Sequence, residues 1–268
     1  RRKRLKMTLR LITAAVAIPA LAVILWLGTS AVGALVLVLA GIGGWELAGM
    51  LRTRTVGPLY LLLPAWSLAL VAAGWLIAEE QAGWSMLLAA FGAGIVPALA
   101  ILLTPWGADR RSAFVYAIAA GPYVGIALAH TPILRSVDDG AQWLMLALIV
   151  TFAADTAAML AGITLGRHKL IPGISPNKSW EGLIGGLIGA AIAALVVDTA
   201  FDLEIASGMA VVLGIVMAIT GTLGDLGVSA FKRHAGVKDS GFLVPGHGGV
   251  LDRLDSLLPT IVIVYWVS

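Results

Sequence analysis

Apolar residues run along this chain in blocks of roughly twenty, separated by short polar connections. Blocks of that length suit helices that cross a hydrocarbon layer about 30 Å thick, at about 1.5 Å of rise per residue. They predict spans over 9–28, 31–50, 58–78, 84–104, 113–130, 142–165, 182–200, 208–226 and 250–268. The expected fold class is therefore all-α, a polytopic transmembrane bundle of about nine spans. Five spans fill an N-terminal region, 1–141. Four more fill a C-terminal region, 142–268, which also holds the two long polar connections, 166–181 and 226–249.

The charges in the connections alternate. Of the 18 Lys and Arg residues, 17 lie in or at the edge of the leading segment or every second connection, and Arg135 alone lies in the others. The others hold Glu79, Glu80, Asp138, Asp139, Asp198, Asp202 and Glu204 instead. By the positive-inside rule the N-terminus is expected in the cytoplasm and the C-terminus outside. The basic run Arg1–Lys6 reads as a topology determinant, and no cleavable leader is evident before the first span.

Composition agrees with lipid as the outer solvent. Charged residues make up 12% of the chain, about half the share usual in a soluble domain, and hydrophobic residues 59%. No helix shows the amphipathic outer face that a soluble bundle needs. With no cysteine, the chain has no disulfide, no Cys-bound zinc, no iron–sulfur cluster and no thiol nucleophile.

Against that background the polar stretch Gly224–Asp255 stands out, with acids Asp225, Asp239, Asp252 and Asp255 and bases Lys232, Arg233, Lys238 and Arg253. If the eighth span continues past Asp225 as helix, then Asp225, Ser229 and Lys232 share one face. Lys232 and Arg233 can alternatively snorkel to lipid headgroups. Pro245, Gly246, Gly248 and Gly249 predict a tight loop with exposed backbone N–H groups, a shape suited to phosphate oxygens. His247 in that loop fits a structural role as well as a catalytic one. Asp252 and Asp255, three apart, are expected on one helix face, where two carboxylates repel unless a cation such as Mg2+ lies between them.

The second rich connection, Gly166–Gly182, carries Ser175, Asn177, Lys178 and Ser179 between proline turns, all residue types that bind phosphate or ribose. Ser179 with Glu181 can equally cap the seventh span. Asp155 lies deep in the sixth span, where an acid points to function. Glu46 near the end of the second span is the weaker candidate. The chain has no phosphate loop of the G-x-x-x-x-G-K-[ST] kind, no H-E-x-x-H and no dinucleotide-binding glycine fingerprint. Glycines inside the spans read as close helix packing.

Ser229–Asp255 resembles the signature of the phosphatidate cytidylyltransferases (CDP-diacylglycerol synthases), S-x-x-K-R followed by K-D and then P-x-H-G-G-x-x-D-R-x-D. Asp155, the G-R-H-K-L-x-P-x-I-S-P-N-K-S-W-E-G run and Gly224–Asp225 are similar to the same family. The motif-bearing part covers about 150–255. Val228 and His234 depart from the pattern, where many relatives carry Glu and Asp, so no metal or base role transfers to them.

The resemblance implies that CTP and phosphatidic acid react to give CDP-diacylglycerol and pyrophosphate, with the lipid substrate reached from the bilayer. It implies Asp225, Lys232, Arg233, Lys238, Asp239, Asp252 and Arg253 as catalytic residues. Ser175, Asn177, Lys178, Ser179, Ser229, His247, Gly248 and Gly249 would bind substrate. Asp225, Asp252, Asp255 and Asp155 would serve as metal ligands for Mg2+, with a second cation such as K+ an open alternative. Nucleic acid is not an expected partner; a homodimer stays open. The expected location is the inner membrane of a bacterium, with the active site on the cytoplasmic face. Two rivals fit less well. A secondary transporter would favour repeated halves, and a CDP-alcohol phosphotransferase would carry a D-G-x-x-A-R motif that is absent here.

Overall fold

The computed structural model describes residues 19–51, 61–102, 108–243 and 248–268. In chain order they form α1 (helical over 19–26), α2 (Thr29–Leu51), α3 (Leu62–Ala78), α4 (Trp84–Leu102), α5 (Ala108–Ser136) and α6 (Gly140–Thr164). A two-stranded ribbon follows, β1 (Lys169–Ile171) and β2 (Ser175–Ser179), and then α7 (Trp180–Phe201), α8 (Ser207–Ala235), α9 (Leu251–Leu254) and α10 (Leu257–Tyr265). The protein is all-α, as the apolar blocks predict. Among the described residues four helices are long and apolar enough to cross a membrane: Thr29–Met50, Gly140–Thr164, Trp180–Phe201 and Ser207–Ala235. The first half of the predicted first span, and the basic run before it, lie outside the described residues.

The helices turn bulky apolar side chains outward. On α7, Ile184, Ile188, Ile192 and Val196 recur every fourth position and are each more than half exposed, while Ala190, Ala194 and Val197 on the other side are buried. A spacing of four keeps residues on one face. A row of that kind is what lipid, rather than water, accepts as a surface.

The chain divides into two compact units, one of Arg1–Ser136 with Phe231–Arg253 and one of Val137–Ala230 with Leu254–Ser268. In the first, α3, α4 and α5 enclose a core of Trp66, Leu70, Ala73, Leu87 and Ala129. The Trp66 indole N–H donates to the carbonyl of Ala90 at 3.1 Å, which satisfies its one polar atom inside that core. In the second, α6 and α7 meet through small residues, as the glycine-rich spans predict: a side chain at Gly186 would touch Ala158 and the Ala154 carbonyl. The buried hydroxyls of Thr151 on α6 and Thr260 on α10 lie 3.0 Å apart.

Two elements differ from expectation. The ninth predicted span, 250–268, is not one helix but two short ones, broken at Asp255–Ser256. Pro259 is the physical reason: its ring crowds the carbonyl of residue i−4, Asp255, and it has no N–H to bond there. Asp255 therefore sits in a turn just beyond the end of α9, the short helix that carries Asp252. The connection 166–181 is also more ordered than a loop. Its β1 and β2 pair antiparallel, Lys169 with Ser179 and Ile171 with Ser175, around a turn closed by the Ile174 N–H on the Ile171 carbonyl at 3.2 Å.

Helix α8 does continue past Asp225, for 29 residues in all. At Gly224 it packs directly on the backbone of the α9–α10 break: a Cβ there would meet the Asp255 carbonyl oxygen and the Pro259 ring. Gly227, one turn on, faces open space. Gly224→Ala is expected to cost about 1–3 kcal/mol through overpacking, whereas Gly227→Ala should gain up to about 1 kcal/mol of helix propensity. Thermal unfolding of the two variants in detergent checks this; equal shifts would contradict the packing described.

Candidate functional site

In the first unit, the last turns of α8 and the polar segment after it build a buried ionic cluster. Lys232 reaches the Asp252 carboxylate on α9, Nζ to Oδ1 at 2.6 Å, with both residues below a tenth exposed. The other oxygen, Oδ2, accepts the backbone N–H groups of Ser240 at 2.9 Å and Gly249 at 3.0 Å. Gly248 makes the turn with φ +91, a left-handed conformation that a side chain disfavours. A Cβ there would also press on Asp252 Oδ2. Asp252 lies outside the four long apolar helices. Its burial pushes the carboxyl up, but the Lys232 ammonium and the two N–H donors outweigh that and hold it below the usual carboxylate range.

A second buried carboxylate joins this cluster from far away in sequence. Glu46 on α2 accepts the N–H of Val250 at Oε1, 2.8 Å, and the N–H of Leu251 at Oε2, 3.0 Å. Its Oε2 also accepts the Ser240 hydroxyl at 2.8 Å. Ser240 thus serves both acids, through its hydroxyl to Glu46 and its N–H to Asp252.

In the second unit the ribbon brings Lys178 to α8, Nζ to Asp225 Oδ2 at 2.6 Å. One turn along the helix, the Ser229 hydroxyl donates to Asp225 Oδ1 at 3.1 Å, which joins two of the three residues predicted for one helical face; Lys232 pairs with Asp252 instead. This pair is about a quarter exposed on each side, unlike Lys232–Asp252. The ribbon is tied down at its root. His168 donates its backbone N–H to both Glu181 oxygens at 3.2 Å, and its ring Nδ1 lies 2.6 Å from Glu181 Oε1. Ser179 is the N-cap of α7, its Oγ accepting the Gly182 N–H at 3.1 Å, so its hydroxyl takes the capping role.

The remaining predicted residues are placed as follows. Arg233, Lys238, Asp239 and Arg253 are exposed, with an Arg233 guanidinium N–H on the Val237 carbonyl at 3.3 Å. Asn177 is exposed and Ser175 half-buried on β2. Asp255 accepts the N–H of Ser256 at 2.9 Å, and Asp155 lies on the exposed side of α6. His247 falls outside the described residues. Val228, where the sequence departs from the resembled pattern, is buried within α8.

Among the described residues no three His, Asp or Glu side chains come together as a metal-binding group. Mg2+ does not require one, since it is commonly held by one or two carboxylates and completed by water and substrate phosphate. Asp225 and Asp252 offer the hard anionic oxygens such a site uses, each already beside an ammonium donor. The donor chemistry fits a cation shared with a phosphate.

Glu46 and Ser240 are the residues that sequence reasoning undervalued or missed. The signal for Glu46 was an acid inside an apolar block; its partners, some 200 positions on, leave no trace in local pattern. Ser240 carried no signal beyond its place between Asp239 and Gly241.

The fold and these clusters define an all-α membrane-type protein with two lysine–carboxylate pairs, one between α8 and α9 and one between the ribbon and α8. Residues 8–268 match the cytidylyltransferase family, and the chain belongs to it. It is similar to the phosphatidate cytidylyltransferases of Staphylococcus saprophyticus and Staphylococcus haemolyticus, each 43% identical over 136 residues. That of Staphylococcus aureus is 41% identical over the same length. Each match covers 51% of this chain and 52% of the relative, so it spans about half the length of these curated relatives.

The two pairs differ in burial and should differ in energetics. Lys232→Met leaves the Asp252 carboxylate buried without its cation and is expected to cost about 3 kcal/mol or more. Lys178→Met breaks a partly solvated pair and should cost about 1 kcal/mol or less. Parallel thermal unfolding measures both; equal losses would contradict the role given to burial.

Proposed function

We propose that the protein is a phosphatidate cytidylyltransferase, transferring the cytidylyl group of CTP to phosphatidic acid in a bacterial inner membrane. The observation that carries this reading is the buried Lys232–Asp252 pair and its glycine turn, built from the residues that resemble the family signature. Two polyanions must be brought together, so the reaction needs fixed positive charge and little else.

A phosphate oxygen of phosphatidic acid attacks the α-phosphorus of CTP. The bond from that phosphorus to the bridging oxygen breaks, and the electron pair leaves with pyrophosphate. The lipid phosphate is already an anion, so no protein nucleophile and no general base are required. Lys178 and Lys232 neutralise phosphate oxygens, and Arg233, Lys238 and Arg253 add exposed donors for the triphosphate and the lipid headgroup. The Ser175 and Asn177 side chains orient the nucleotide. Asp225 and Asp252 would hold Mg2+, which would supply Lewis-acid charge neutralisation at the phosphates. Asp239, Asp255 and Asp155 are supporting acids in this reading. The one-sided distribution of the basic residues supports a cytoplasmic side for the polar connections, where CTP is available. The diacyl tails stay in the bilayer throughout.

Release of pyrophosphate from CTP upon addition of phosphatidic acid to the reconstituted protein is the deciding measurement. Transport of a solute without release would instead support the transporter reading. Asp225→Asn is the cleaner variant of the two acids, because Asp225 is partly exposed and its loss strands no buried lysine. It is expected to lower kcat by about 100-fold or more with the thermal midpoint retained. Full activity would remove Asp225 from the machinery.

A further inference from the structure

The glycines between 241 and 249 are easily read as a cradle for phosphate, but two of them answer to a group inside the protein. A Cβ at Gly241 would come within 2.7 Å of Glu46 Oε1, and one at Gly249 would strike Glu46 Oε2 and the Ser240 hydroxyl. Glu46 comes from α2, in the half of the chain with no motif, and is buried to 8% exposure. Its two oxygens take three donors: the Ser240 hydroxyl and the N–H groups of Val250 and Leu251. Those two backbone groups immediately precede Asp252. The turn that carries Asp252 is therefore gripped from both sides, by Asp252 itself through Ser240 and Gly249 and by Glu46 through Ser240, Val250 and Leu251.

A carboxylate suits this place for a definite reason. It accepts at both oxygens and donates nothing, so three converging donors are all satisfied. The amide of a glutamine would aim its own N–H groups at one of them, and alanine would leave the donors of Val250, Leu251 and Ser240 buried without an acceptor.

We propose that Glu46 is a positioning residue for the transfer reaction: it fixes the Gly249–Leu251 backbone and thereby the alignment of the Lys232–Asp252 pair. The kinetic part rests on the transfer reading; the structural part does not. The test compares wild type, Glu46→Gln and Glu46→Ala in detergent or reconstituted membranes, in two arms. The first is amide hydrogen exchange. In Glu46→Ala, protection is expected to fall locally over 249–251 while α3, α5 and α6 keep theirs. Unchanged protection over 249–251 would overturn the proposal, as would a loss spread through all the helices, which would make Glu46 a general fold determinant. The second arm is pyrophosphate release at saturating CTP and phosphatidic acid. Misalignment of a held group can cost about 100-fold, so kcat, measured well below the thermal midpoint of Glu46→Gln, is expected to fall about that far. Wild-type kcat in both variants would overturn the kinetic role. If the wild type itself releases no pyrophosphate, the transfer reading fails and the exchange arm still decides the positioning.

Discussion

A carboxylate taken out of water costs several kcal/mol unless enough donors meet it. That constraint shapes the first unit more than any apolar contact does. Glu46 and Asp252 are both buried to 8% exposure, and together they collect one ammonium, four backbone N–H groups and one hydroxyl. Meeting that demand dictates the local chain path. The backbone must fold tightly enough to present Ser240, Gly249, Val250 and Leu251 to two acids, which explains why the segment has glycine where a side chain would intervene. The end of α8, the start of α9 and a helix from the N-terminal half are thereby fastened together by these polar bonds.

The second unit answers the same membrane-like environment differently. Its helices approach through alanine and glycine, where dispersion contacts rather than buried charge hold them. Its ionic pair, Lys178–Asp225, keeps partial contact with solvent and so carries little stabilising weight. The contrast separates roles. A pair that contributes little to folding is free to exchange partners with a charged ligand, while the pair in the first unit is costly to break and serves better as a fixed reference.

Much of this was legible in the sequence. The apolar blocks identified the all-α class, and helical spacing put Asp225 and Ser229 on one face before any contact was known. The motif residues Lys232, Asp252 and Gly249 do converge. What could not be read has physical causes. Pro259 lies inside an apparently continuous apolar block, and its effect on the Asp255 carbonyl breaks the last helix, which hydropathy does not register. The ribbon at 169–179 is too short for a period-two pattern to emerge. Glu46 is the weaker candidate by sequence because its proximity to a helix end suggests access to water; the donors that satisfy it come from the opposite end of the chain.

The ribbon has one more consequence. His168 and Glu181 clamp its base, and the turn at Ile171–Ile174 closes its tip, so the backbone carrying Asn177 and Lys178 is fixed before any ligand arrives. A flexible loop would lose about 1–2 kcal/mol of conformational entropy for each residue it ordered on binding. Here that loss belongs to folding. A ligand meeting Lys178 would have to outcompete one carboxylate, Asp225, rather than organise a strand, so the selectivity of this edge is a matter of charge density: an anion must hold the ammonium better than Asp225 does.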